Sequence, residues 1–121
     1  EAGFETVFHK ISQKPGRPLL VATRPDGKVV FAFPGNPIST LTCFWVYFLP
    51  WVSGEWPEYQ VKEIKFLPKP SAELDQWIPV ENGEVLAHNG SGDLINWSRA
   101  DGLVWQKAGD KAKKLPYIPL K

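Results

Sequence analysis

Between residues 29 and 52 the hydrophobic pattern changes period, and Pro34-Gly35-Asn36-Pro37 stands at the change. Upstream, Val29-Val30-Phe31-Ala32-Phe33 is a short unbroken apolar run that reads as a strand. Downstream, Leu41, Phe44, Trp45, Phe48, Leu49 and Val52 recur at three- and four-residue spacing, which puts them on one broad helical face. Asn36 suits an N-cap and Pro37 the first helical position, where the ring presets φ and no needed donor is lost. A stiff turn that delivers a strand into a helix packed on the same sheet predicts an α/β layer. Pro50 is predicted to kink or end that helix.

The rest of the chain divides around this unit. Residues 6–11 read as a strand that leads into the turn-rich Lys14-Pro15-Gly16-Arg17-Pro18. The runs 19–23 and 29–33 flank Arg24-Pro25-Asp26-Gly27-Lys28, whose Pro-Asp-Gly chemistry predicts a tight turn and an adjacent strand pair. Residues 53–57 turn polar, and a boundary is placed near Glu58, giving domains 1–57 and 58–121. In the second part, 61–67, 76–80, 84–87, 103–106 and 115–120 are short strand-like segments, and 93–100 reads as one short helix after Gly90-Ser91-Gly92. The predicted fold class is α/β followed by a small, mostly β domain.

Charge excludes one class of partner. The 14 basic and 13 acidic residues are mixed along the chain, so no basic patch argues for nucleic acid. The longest apolar run, 40–52, is short for a bilayer and contains Pro50, so no membrane insertion is expected. A lone cysteine, Cys43, excludes an internal disulfide and a Cys-rich metal site, which suits a reducing compartment; a cytoplasmic location is expected. Within the apolar stripe Cys43 reads as a small buried hydrophobe, and the tryptophans read as core, with Trp45 and Trp51 against the first sheet and Trp77, Trp97 and Trp105 inside the β domain. His9 and His88 have no ligand-spaced companions, so no metal site is predicted. The opening Glu1-Ala2-Gly3 lacks an initiating Met and any apolar leader, which suggests an excised piece of a longer chain.

Three blocks in order carry a family resemblance. Lys14-Pro15-Gly16-Arg17-Pro18 is similar to KPGKP, Phe33-Pro34-Gly35-Asn36-Pro37-Ile38-Ser39 to LPGNPVS, and Gly90-Ser91-Gly92-Asp93-Leu94 with Arg99-Ala100-Asp101-Gly102-Leu103 to GSG-x-L and A-[ND]-G-L. Together they resemble the molybdopterin molybdenumtransferases, the MoeA/gephyrin E-domain family. The resemblance implies the rear half of a three-layer molybdopterin-binding domain, then a barrel-like β domain. It also implies molybdate insertion into adenylylated molybdopterin (molybdopterin-AMP), a magnesium requirement and a homodimer. The family's TGDE-like and GGVSVGD-like motifs do not occur in this sequence. The catalytic residues are therefore not assignable, and the chain alone is expected to be inactive. A gephyrin-like scaffolding module is the alternative, and it would require Trp77, Trp97 and Tyr117 to form an exposed patch.

What the resemblance implies chemically is a phosphate-bearing pterin substrate, and an anion must be held. A helix start offers free N–H groups and the positive end of the dipole, with Gly35 and Ser39 supplying amides aimed by the flanking Pro34 and Pro37 around Asn36. Lys14 and Arg17 flank Gly16, so two cations can converge on an oxyanion while the glycine permits close backbone approach. Arg17 keeps the charge of the family's lysine but presents a planar fork. Ser91 is a further candidate contact. Each motif also has a bland reading: a plain strand-to-helix connection, a solvated basic turn, a glycine turn.

Overall fold

The computed structural model describes residues 2–56, 58–86 and 94–120. Its first sheet joins β1 (Glu5–His9), β3 (Leu20–Thr23) and β4 (Val29–Ala32), all antiparallel, in the order β1-β3-β4. The strand pair expected on either side of Pro25-Asp26-Gly27 is a hairpin, with Leu20 opposite Ala32 and Thr23 opposite Val29. Its turn closes with the Gly27 amide donating to Arg24 O at 2.9 Å, while the Arg24 guanidinium holds Asp26 at 2.6 Å. The strand expected over 6–11 ends at His9, because Lys10 takes a positive φ of 67°. The chain then resumes as β2 (Gln13–Lys14).

A helix runs from Pro37 to Ser53 in three parts: α1 (Pro37–Cys43), a π segment (Phe44–Phe48) and α2 (Leu49–Ser53). Of the two outcomes expected at Pro50, a kink or an end, the helix does not end there: it continues to Gly54, which takes the left-handed conformation, φ 72°, and its regularity is interrupted just before the proline. The preceding π segment absorbs the proline. The Leu49 amide reaches back five residues to Phe44 O, and this wider turn relieves the crowding that a proline ring imposes on the carbonyl four residues earlier. Against the sheet the helix packs Leu19, Val21 and Cys43, with Phe31 meeting Phe48 edge-on at 5.3 Å. Trp51 touches Phe31 but is 47% exposed, and Trp56 beyond the helix end is 69% exposed, so the expectation of core positions fails for both.

The second sheet is mostly built from the later part of the chain: β5 (Gln60–Glu63), β6 (Asp75–Glu81), β7 (Glu84–Val85), β8 (Gly102–Gln106) and β9 (Lys114–Pro119), with α3 (Leu94–Ser98) before β8. Its order is β2-β6-β8-β9-β5, with β7 on β6. One edge strand therefore comes from the first part of the sequence, and β2 lies parallel to β6 with Gln13 opposite Asp75. The interior is shared in the same way. Ile38 and Val46 of the helix form one cluster with Trp77, Trp97, Leu103 and Ile118. A second cluster, Ile64, Ile78, Val80, Val104, Leu115 and Tyr117, lies within the sheet. Gly102 is required there, because a Cβ would sit 2.1 Å from the Tyr117 ring. Among the described residues no helix is long and apolar enough to cross a membrane.

Candidate functional site

The loop after β2 is fixed at its base by Gln13, 4% exposed. Its Nε2 donates to Pro15 O at 3.1 Å, and its Oε1 accepts both from the Trp77 indole at 3.1 Å and from the Tyr47 hydroxyl. One side chain thus ties together the loop, the helix and β6. The Lys14–Pro15 peptide is cis and Gly16 has φ 100°. A Cβ at Gly16 would stand 2.7 Å from Cys43 Sγ and 2.9 Å from Gln13 Nε2, so only glycine lets the loop lie this close to the helix. Burial pushes the Cys43 thiol and the Tyr47 hydroxyl each up to about 12. Both therefore stay protonated donors, Cys43 to Gly16 O at 3.7 Å and Tyr47 to Gln13.

Beside this loop lies a cavity of about 660 Å³, lined by Lys14, Arg17, Ser39, Lys69, Trp77 and Trp97 among others, and no carboxylate lines it among the described residues. Lys14, Arg17 and Lys69 are exposed, and none enters an ion pair among the described residues. The Ser39 hydroxyl has no protein partner among the described residues. Three cations, a hydroxyl, glutamine amides and indole walls make a setting that suits an anion attached to a flat, partly apolar body.

The sequence-predicted residues divide into two groups. Lys14, Gly16, Arg17 and Ser39 line the cavity, whereas Pro34, Gly35, Asn36 and Pro37 do not. The Asn36 carboxamide closes the helix start itself, its Oδ1 accepting from the Ile38 amide at 3.0 Å and the Ser39 amide at 3.3 Å. The expectation of a Ser39 amide free for an anion is therefore corrected: Asn36 satisfies that donor, and Ser39 presents its hydroxyl instead. Thr40 adds a lock, its hydroxyl bonding Pro34 O at 2.5 Å and Asn36 O at 3.0 Å. Gly35 faces open space. Ser91, with His88 and the Gly90-Ser91-Gly92 turn, lies outside the described residues.

Three polar lining residues, Gln13, Lys69 and Gln76, were not singled out from sequence. Gln13 carries no motif of its own beyond its place before Lys14, and Lys69 sits in a Pro-Lys-Pro stretch that reads as a linker. Trp77, Trp97 and Tyr117 are 3%, 2% and 4% exposed, so the aromatic patch that a scaffolding surface would need is not formed by them.

Residues 1–54 match a family described as a probable molybdopterin binding domain. The chain is 51% identical over 39 residues to the molybdopterin molybdenumtransferase of Synechococcus elongatus, covering 31% of this chain and 10% of that protein. It is 31% identical over 110 residues to the protein of the same description from Synechocystis sp., covering 86% of this chain and 28% of that protein. Among solved structures, the molybdopterin biosynthesis MoeA protein from Pyrococcus horikosii aligns with a TM-score of 0.73 at 25% identity, over 99% of this chain and 33% of that one. The chain thus spans about a third or less of the length of these relatives.

Proposed function

The chain belongs to the MoeA family of molybdopterin molybdenumtransferases, and from that premise we propose that it serves molybdenum cofactor biosynthesis by holding the phosphate-bearing end of a molybdopterin substrate. The observation that carries this reading is the cavity beside Gly16, which Lys14, Arg17 and Ser39 line together with no carboxylate among the described lining residues. An ammonium gives a point charge and a guanidinium a two-pronged one, so a phosphate dianion gains both strength and orientation from the pair. The buried indoles of Trp77 and Trp97 supply an apolar flank for a ring system.

In its fuller form the reading makes adenylylated molybdopterin and molybdate the substrates and a cytoplasmic homodimer the working state. The lone buried Cys43 suits that compartment. The magnesium ion implied by the family does not fit this cavity. Magnesium takes hard anionic oxygens, whereas the described lining residues offer amines, a guanidinium, amides and a hydroxyl, and no group of three metal-ligating side chains exists among the described residues. Among the described residues the lining offers groups that bind and orient an anion, and the chain alone is expected to be inactive in turnover because the family's TGDE-like and GGVSVGD-like motifs do not occur in it.

Tryptophan fluorescence titration with a pterin monophosphate tests the reading, since Trp77 and Trp97 report directly on the cavity. Saturable quenching that is lost in Lys14→Ala and Arg17→Ala supports it. Quenching unchanged by both substitutions overturns it.

A further inference from the structure

Lys69 reaches the cavity from the Pro68-Lys69-Pro70 segment, far along the sequence from Lys14 and Arg17. Its backbone is held more firmly than an exposed linker requires. Gln106, 1% exposed, donates to Pro68 O at 3.1 Å, and Gln76 donates to Lys69 O at 3.3 Å. The two glutamines are themselves joined, Gln76 Nε2 to Gln106 Oε1 at 3.0 Å. The prolines on either side restrict the backbone further. Three like charges lining one cavity favour an anion that carries more than one negative charge.

We infer that Lys69 is a third anion-binding residue of this site, positioned by the Gln76–Gln106 pair, and that it makes the site select a diphosphate over a single phosphate group. This rests on the anion-binding reading above. Lys14 and Arg17 hold one phosphoryl group and Lys69 neutralises the next. The same segment also borders a neighbouring cavity of about 570 Å³ that carries Lys65, Lys111 and Lys113, and these lysines serve as controls for general positive charge.

The test is a phosphorus NMR titration of the 121-residue chain at low salt, with inorganic pyrophosphate and inorganic phosphate as separate probes. Lys69→Ala should weaken pyrophosphate about tenfold and phosphate by no more than about twofold, as expected for one lost charge-assisted contact. Lys69→Arg should restore most of the pyrophosphate affinity. Lys65→Ala and Lys113→Ala should leave the preference for pyrophosphate intact. If Lys14→Ala weakens both probes while Lys69→Ala weakens them equally or not at all, the Lys69 assignment fails and the anion-binding reading stands. If Lys65→Ala and Lys113→Ala match the effect of Lys69→Ala, bulk charge explains the binding and the assignment fails. If neither Lys14→Ala nor Arg17→Ala affects either probe, both readings fall together.

Discussion

The indole N–H of Trp77 donates to Gln13 Oε1 at 3.1 Å, so the β6 strand of the second sheet grips the residue that holds the Lys14–Arg17 loop. Gln13→Leu removes the shared acceptor of Trp77 and Tyr47 and the donor to Pro15 O, leaving buried polar groups unsatisfied. Losing such bonds costs about 2–4 kcal/mol in total, together with the loop's alignment. Urea denaturation measures the first effect and phosphate affinity the second. A variant as stable as wild type would show that the network does not hold the loop.

Gly16→Ala places a methyl 2.7 Å from Cys43 Sγ on a backbone with φ 100°, so both contact and conformation oppose it. The expected cost is roughly 2–4 kcal/mol. Cys43→Ala should relieve only the contact. A double-mutant cycle by denaturant unfolding should therefore give a favourable coupling of about 1 kcal/mol, and strict additivity would mean that the loop does not press on the helix there.

Asn36 acts as a helix cap, its Oδ1 engaged with the Ile38 and Ser39 amides. Asn36→Ala should lower stability by about 1 kcal/mol, while Asn36→Asp, which keeps the acceptor and adds a charge that the helix dipole favours, should change it by less than about 0.5 kcal/mol. Thermal unfolding with a phosphate titration separates the roles. If Asn36→Asp abolished anion binding while leaving the fold intact, Asn36 would belong to the binding surface.

Stability should decline at high pH. Burial raises the Cys43 thiol from 9.0 and the Tyr47 hydroxyl from 10.0, each to about 12, so the folded chain keeps protons that the unfolded chain releases. The contribution is complete below the unfolded values and is lost as pH rises through the folded ones. Urea midpoints should therefore fall from about pH 9 upward, and Cys43→Ala should flatten the early part of that fall. A midpoint independent of pH across that window would contradict the burial of both groups. At neutral pH the folded chain should also resist thiol reagents until denaturant is added.

Much of the first sheet and its helix was legible because the signals are local. A Pro-Asp-Gly turn between two apolar runs specifies a hairpin within a few residues, and Asn36-Pro37 before a three- and four-residue stripe specifies a helix start. The helix outlasts Pro50 because the turn before the proline is not an ordinary α-turn. The π segment before it depends on how Phe44 and Phe48 pack against each other and on Phe31, which is tertiary information.

The amino-acid order by itself determined the local turns and caps, and it marked Lys14, Arg17 and Ser39 as candidates through the motifs that carry the family resemblance. Only the folded chain decided which of them share a cavity, that Asn36 consumes the helix-start amides, and that Gln13 and Lys69 join the group. The physical reason is range: turns and caps are satisfied by neighbours in sequence, whereas a cavity is defined by strands such as β2 and β6 pairing across the chain, and no local periodicity encodes that pairing.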